Sequence, residues 1–320
     1  MTDRHRLQLD EATLRRILEA SAVDPGTIVS WSELTGGTFN SVYRVRTTGG
    51  DGLVLKVAPS PAAPVLGYEH GLMRTEAEFY RAARGRAPVP DVVHADFTRT
   101  TVPTDFLVMT ERPGVSWESR RKTITGAERS RLRTELGRIV RETHEVTGPG
   151  FGYPQLGLAD TWRTAFPAMV DSLLADADRF AVTLPVPPAR IASSLRRHAD
   201  LLDEVERPVL VHFDLWDGNI LVNGDRITGL IDGERAFWGD PVAEFVSVAL
   251  FGDVEGDQDF VAGYATGPFT RSMRLRLSMY RVYLYLIMLV EAVPRGYSGP
   301  EHEWTARLVR KHLSAELGAL

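Results

Sequence analysis

The chain has 320 residues, 43% of them hydrophobic and 25% charged, and a net charge of −5. That is the composition of a globular protein with material for two domains, and its mild acidity argues against a nucleic-acid partner, which would want a basic face. With no cysteine in the sequence, disulfides, thiolate metal sites and cysteine nucleophiles are excluded.

The N-terminus has no apolar core of signal-peptide type. The longest apolar run, Val282 to Val290, is nine residues, under half of the roughly 20 a bilayer span needs. The chain is therefore expected in the cytoplasm, without a membrane partner. Asp10 can cap a first helix, Glu11 to Ala20, with Leu14, Ile17 and Leu18 on one face. The apolar period then becomes two. Residues 28–34, 41–47 and 53–58 read as strands, separated by Gly36-Gly37 and by Gly49-Gly50-Asp51-Gly52. Glu69 to Arg84 reads as a helix, and two further strands follow, Val92 to Phe97 and Phe106 to Thr110.

Pro113-Gly114 breaks the chain, and helical patterns dominate after it: 126–146, 160–180, 189–204, 241–251, 257–265, 270–293 and 301–317. Among them lies a short β island, Val209 to His212, Ile220 to Val222 and Ile227 to Ile231. A strand-rich part followed by a helical part is an α+β plan in two domains, 1–112 and 113–320, with a linker at 111–115.

The strongest chemical signal is His212-Phe-Asp-Leu-Trp-Asp-Gly-Asn219. Its spacing is that of the kinase catalytic loop, H-R-D-L-x-x-x-N, with Phe213 in place of arginine. Phosphoryl transfer needs a carboxylate to orient the attacking hydroxyl and take its proton, and a neutral oxygen to hold a metal on the phosphates. Asp214 and Asn219 supply these across a tight loop, with Gly218 at the turn. Asp and Asn are also common turn residues, so the motif gains most of its weight from its companions.

Thirteen residues after Asn219, the strand Leu230-Ile231 ends in Asp232, where a carboxylate can face a metal. The short spacing suits a hairpin that brings Asn219 and Asp232 together. Lys56, inside the aliphatic strand Leu53 to Val57, can hold α- and β-phosphates. Its partner would come from the next helix, from Glu76 or Glu78 and less readily Glu69, with Glu76 preferred. Gly36 to Ser41 is a small polar turn whose backbone N–H groups, at Thr38 and Asn40, could cover phosphates.

Taken in order, these residues resemble the aminoglycoside phosphotransferase family, from about Leu34 to Arg295. The most specific stretches are Val211 to Val222 and Ile231 to Pro241. The resemblance implies a two-lobed protein-kinase-like fold and an ATP- and Mg²⁺-dependent transfer to a hydroxyl of a small molecule. An aminoglycoside or other antibiotic is one candidate acceptor, with antibiotic resistance as its consequence. A fructosamine, homoserine or choline-type metabolite is the alternative, and a non-catalytic nucleotide-binding regulator a further one. By the same resemblance Asp214 is the base, Asn219 and Asp232 hold magnesium, Lys56 and Glu76 serve the phosphates, and Met109, Glu111 and Arg112 lie at the adenine hinge. Asp240 would tie the core helix to the catalytic loop. Three departures stand out: Phe213 for the glycine of H-G-D, Gly233 for an aromatic, and Glu244 for a second aspartate.

Overall fold

The computed structural model describes residues 7–34, 39–50 and 52–320. Thr38 and the Gly36-Gly37 turn fall outside the described residues.

Five antiparallel strands form one sheet in the order β1-β2-β3-β5-β4: β1 (Ile28–Glu33), β2 (Ser41–Thr47), β3 (Gly52–Val57), β4 (Val92–Asp96) and β5 (Phe106–Thr110). The alternation along β3 and β5 decides which side chain meets what. Leu55, Val57, Phe106 and Val108 face α1 (Glu11–Ala20), which buries Leu14, Ile17 and Leu18 against them. Leu107 and Met109 point the other way, into the core that holds Phe79 and Tyr80 of α2 (Leu72–Ala83). Lys56 sits between Leu55 and Val57, so the period of two turns it toward α2.

The helix expected over 69–84 starts later, at Leu72. Gly71, at φ 83°, adopts the left-handed conformation at its N-cap, and Gly67–Glu69 is a separate 3₁₀ turn. After β5, a two-residue strand β6 (Val115–Ser116) and a single helical turn α3 (Trp117–Arg120) appear, neither expected from the sequence. Then come α4 (Gly126–Thr143), α5 (Trp162–Arg179) and α6 (Pro188–Arg196). The pattern over 189–204 is not one helix: it breaks after Arg196 and resumes as a 3₁₀ turn, Ala199–Glu204.

β7 (Val209–Val211), β8 (Ile220–Asn223) and β9 (Arg226–Leu230) match the β island. The unexpected β10 (Phe237–Gly239) pairs with β7. The expected helix 241–251 is a 3₁₀ turn, Pro241–Glu244, followed by the short α7 (Phe245–Val248). The last helices are α8 (Gln258–Tyr264), α9 (Arg271–Val290) and α10 (Pro300–Ala319). Among the described residues, no helix is long and apolar enough to cross a membrane.

The helical part is built on an aromatic core. Trp162, Phe166, Tyr280, Tyr283, Phe213 and Phe237 are all nearly inaccessible, and Trp162 stacks on Phe237 with ring centres 5.6 Å apart. The architecture is thus α+β and two-lobed: an antiparallel sheet flanked by α1 and α2, and a larger helical lobe carrying small β hairpins.

Candidate active site

Lys56 is 3% exposed and meets three carboxylates at once: Glu76 at 2.7 Å, Asp232 at 2.9 Å and Glu234 at 2.9 Å. Burial alone would favour loss of its proton. The charges of Asp232, Glu234 and Glu76 outweigh that and hold the ammonium well above the ordinary lysine range. Glu76 is the α2 residue preferred from the sequence; Glu78 is exposed on the same helix and Glu69 is bonded elsewhere. Burial pushes the Glu76 carboxyl up, only partly offset by Lys56. Tyr80 braces the group, donating to Glu76 Oε1 at 2.7 Å and accepting the Asp232 amide at 3.0 Å.

The segment His212 to Asn219 is shaped by Phe213 and Glu244. Phe213 stands at φ 61°, a conformation a bulky residue seldom adopts and one that costs about 1–3 kcal/mol. Two interactions hold it there. Its ring packs 5.0 Å from Phe237 and 5.7 Å from Tyr283. Glu244 accepts the amide N–H groups of both His212, at 2.7 Å, and Phe213, at 3.0 Å. The longer side chain of Glu244 therefore still clamps this loop. Asp240, by contrast, does not reach it: Asp240 accepts from Tyr280 at 2.6 Å and pairs with Arg276, both on α9. The imidazole of His144 lies 3.8 Å from Glu244 and bonds Tyr264 through Nδ1.

The β8–β9 hairpin performs the juxtaposition its length suggested. Ile220 pairs with Leu230, and the Ile231 amide donates to the Asn219 carbonyl at 3.0 Å. Asn219 Nδ2 donates to the Asp214 carbonyl at 2.8 Å and to Asp214 Oδ2 at 3.3 Å. Its amide nitrogen is thus committed, and its side-chain oxygen is the end left for a cation. Asp232 takes the left-handed conformation at φ 60°. A Cβ on the following Gly233 would come within 2.3 Å of the Phe79 ring, so Phe79 already fills the space an aromatic there would need.

Burial pushes the Asp214 carboxyl above the usual range, with Arg235 and His212 pulling it back. Arg235 lies 3.8 Å from Asp214 and starts a buried ion-pair chain. It bonds Glu291 at 2.7 Å, Glu291 pairs with Arg295 at 3.1 Å, and Arg295 bonds Glu69. Arg295 also lies over the Phe39 ring, 4.6 Å from its centre. Sequence reasoning missed this chain. Arg235 stands three residues after Asp232, a signal the sequence does offer, but nothing in it marks Glu291 or Arg295.

The remaining expected residues lie at the rim. Met109 is buried in β5 between Val54 and Val92. The Glu111 amide donates to the Gly52 carbonyl at 2.8 Å, and its carboxylate pairs with Arg44 and Arg46. Arg112 Nε donates to the Thr228 carbonyl at 2.8 Å, joining this segment to β9. Asn40 is 5% exposed and donates from Nδ2 to Glu234 at 2.7 Å; its buried Oδ1 has no partner among the described residues.

The donor set suits magnesium. Asn219 and Asp232 offer hard oxygens, and Asn40 Oδ1 is a further oxygen without a partner among the described residues. Among the described residues no three acidic or histidine side chains form a ready-made metal cage. Magnesium commonly binds through one or two carboxylates together with substrate phosphates, so it needs no such cage.

A sheet lobe presenting a buried lysine, and a hairpin presenting an aspartate and an asparagine beside a loop carboxylate, define a kinase-like phosphotransferase. The chain belongs to the phosphotransferase enzyme family, whose model matches residues 30–280. A Lactiplantibacillus plantarum protein named as a probable ketoamine kinase is 36% identical over 84 residues, spanning 26% of this chain and 29% of that protein. Solved structures share the fold. The aminoglycoside phosphotransferase APH(4)-Ia superposes with a TM-score of 0.67 at 19% identity, over 97% of this chain and 99% of that one. A thermostable mutant of that protein has been crystallised with AMP-PNP and hygromycin B. A Thermobifida fusca protein provisionally named a fructosamine-3-kinase superposes with a TM-score of 0.66 at 20% identity, over 96% of this chain and 100% of that one.

Proposed function

We propose that this chain is an ATP- and Mg²⁺-dependent O-phosphotransferase that phosphorylates a hydroxyl of a small molecule. The observation that carries this reading is the convergence of Lys56, Glu76, Asp232, Asn219 and Asp214, from four separate stretches of chain, around one cleft. Residues 1–112 would enclose the nucleotide and residues 113–320 the acceptor, with the adenine beside the backbone of Met109 to Arg112.

Lys56, oriented by Glu76, holds the α- and β-phosphates. Asn219 and Asp232 would hold magnesium, which would supply positive charge against that building on the phosphates. Asp214 aligns the acceptor hydroxyl and takes its proton as the oxygen–phosphorus bond forms and the bond to the ADP leaving oxygen breaks. Glu244 keeps the loop that carries Asp214 in its strained shape. Asn219 restrains the Asp214 carboxylate through Oδ2.

A groove of about 840 Å³ beside the loop is lined by Trp216, Asp217, Phe251, Asp253 and Trp304, among others. It is large enough for a drug-sized acceptor. Trp216 and Trp304 are 39% and 60% exposed. Part of its wall comes from α10, which sequence reasoning left aside. Trp162 and Phe166 belong to the core and do not line the groove. An aminoglycoside and a fructosamine-type metabolite both remain candidate acceptors, and the local likeness to a ketoamine kinase favours the second. Retention of Lys56, Asp214, Asn219 and Asp232 argues against a regulator without turnover.

A screen of hydroxylated antibiotics and of ketoamines for acceptor-dependent ADP release tests the reading. We expect release with one chemical class and none after Asp214→Asn. Failure of the wild-type protein to bind MgATP would overturn it.

A further inference from the structure

We propose that Glu234 is a second metal-binding carboxylate of the nucleotide site, giving up Lys56 in exchange for the Mg²⁺ that arrives with ATP. This rests on the reading of the cleft as a nucleotide site and adds a residue that the motifs did not single out.

The argument begins with Lys56. Of the three N–H donors of an ammonium, Lys56 spends two on Asp232 and Glu234, at 2.9 Å each, and Glu76 lies 2.7 Å away as a further ion-pair partner. Three carboxylates thus surround the ammonium on the side that phosphates would share. Lys56 can serve both the α- and β-phosphates only if a partner withdraws. Glu76 cannot readily do so, being fully buried and fixed by Tyr80 at its other oxygen. Asp232 and Glu234 flank the turn at Gly233 and are the two that can change partner.

Charge leads to the same pair. Three carboxylates face one ammonium, and ATP brings further negative charge. Bringing triphosphate next to carboxylates in a partly buried site is prohibitive without cations. A divalent ion engaged by both Asp232 and Glu234 removes that repulsion and releases two Lys56 donors toward the phosphates. Two carboxylates plus phosphate oxygens is a donor set magnesium accepts.

Asn40 provides an independent sign. It immediately precedes β2 and donates from Nδ2 to Glu234, and among the described residues nothing donates to its buried Oδ1. A buried unsatisfied oxygen carries a cost. Here it belongs to a side chain already bonded to Glu234, and a hydrated cation drawn to that carboxylate would satisfy it. A lysine partner with a purely structural role accounts for Glu234 but not for this oxygen.

The test follows AMP-PNP binding by calorimetry at varied Mg²⁺, with wild type, Glu234→Gln and Asp232→Ala. For Glu234→Gln we expect the Mg²⁺ midpoint to rise by about tenfold or more, the loss typical of removing a metal-site partner. We also expect AMP-PNP binding in chelator to tighten, because Lys56 regains a free donor and the site loses a negative charge. Tightening in chelator with an unchanged Mg²⁺ midpoint would make Glu234 a cover for Lys56 only and overturn the proposal. If Asp232→Ala abolishes the Mg²⁺ dependence while Glu234→Gln leaves it intact, the nucleotide reading stands and this proposal falls. If Asp232→Ala also behaves as wild type, the nucleotide reading itself falls. Should Glu234→Gln fail to fold, Glu234→Asp keeps the charge, withdraws it by one methylene, and reads the same two quantities.

Discussion

Lys56 and Asp232 meet at 2.9 Å across 176 residues of sequence, one from the sheet lobe and one from the hairpin of the helical lobe. The contact joins the lobes at the point where the phosphates are proposed to lie. Replacing Lys56 by methionine would leave Glu76, Asp232 and Glu234 facing one another without a cation. Removing one partner of a buried ion pair typically costs about 3–5 kcal/mol. The Glu76 carboxyl is already raised by burial, and loss of Lys56 raises it further. A carboxyl whose folded pKa lies above its unfolded value contributes stability at low pH that is lost as pH rises. Lys56→Met should therefore melt closer to wild type at pH 5 than at pH 8. An equal deficit at both would show that the three carboxylates are not electrostatically linked.

Asp214→Asn should lower turnover by about 10²–10⁴, the usual contribution of a general base, while leaving MgATP affinity within a few-fold. Burial raises the Asp214 carboxyl, so the acidic limb of the rate profile should lie above the ordinary aspartate range, activity falling as pH drops through the shifted value. Because Arg235 opposes that shift, Arg235→Met should move the limb to higher pH. A limb in the same place in both proteins would remove Arg235 from this role.

Asp232→Ala should abolish the Mg²⁺-dependent rise in melting temperature caused by ATP. Asn219→Ala should weaken it less, since a neutral ligand contributes less to holding a cation. The reverse order in a thermal-shift titration would exchange their assigned importance.

Gly233→Ala would drive a Cβ into the Phe79 ring. Overpacking of this kind costs about 1–3 kcal/mol. Combining it with Phe79→Leu, which vacates part of the space, should recover stability, giving a favourable coupling in a denaturation double-mutant cycle. Strictly additive losses would mean that Phe79 is not the obstacle.

The sequence was most legible where a short segment meets its needs alone. The helix Glu11–Ala20, with its Asp10 cap, appears at the expected residues. The β8–β9 hairpin was also readable, because the thirteen-residue spacing of Asn219 and Asp232 is short enough for one. Elements that depend on distant partners were not. β10 exists because β7 lies beside it, and the helix expected over 241–251 is cut short where Glu244 turns inward to hold the amides of His212 and Phe213.

The amino-acid sequence by itself determined the chemistry available: a lysine in an aliphatic strand, an aspartate and an asparagine in one loop, and a second aspartate at a strand end. Local spacing and side-chain type suffice to specify that inventory. Only the tertiary structure decided how those charges are balanced. It gave Lys56 three carboxylate partners rather than one, moved the loop clamp from Asp240 to Glu244, and set Arg235, Glu291, Arg295 and Glu69 in a buried chain behind Asp214. Electrostatic energy depends on distance and burial in three dimensions, and sequence separation does not encode either.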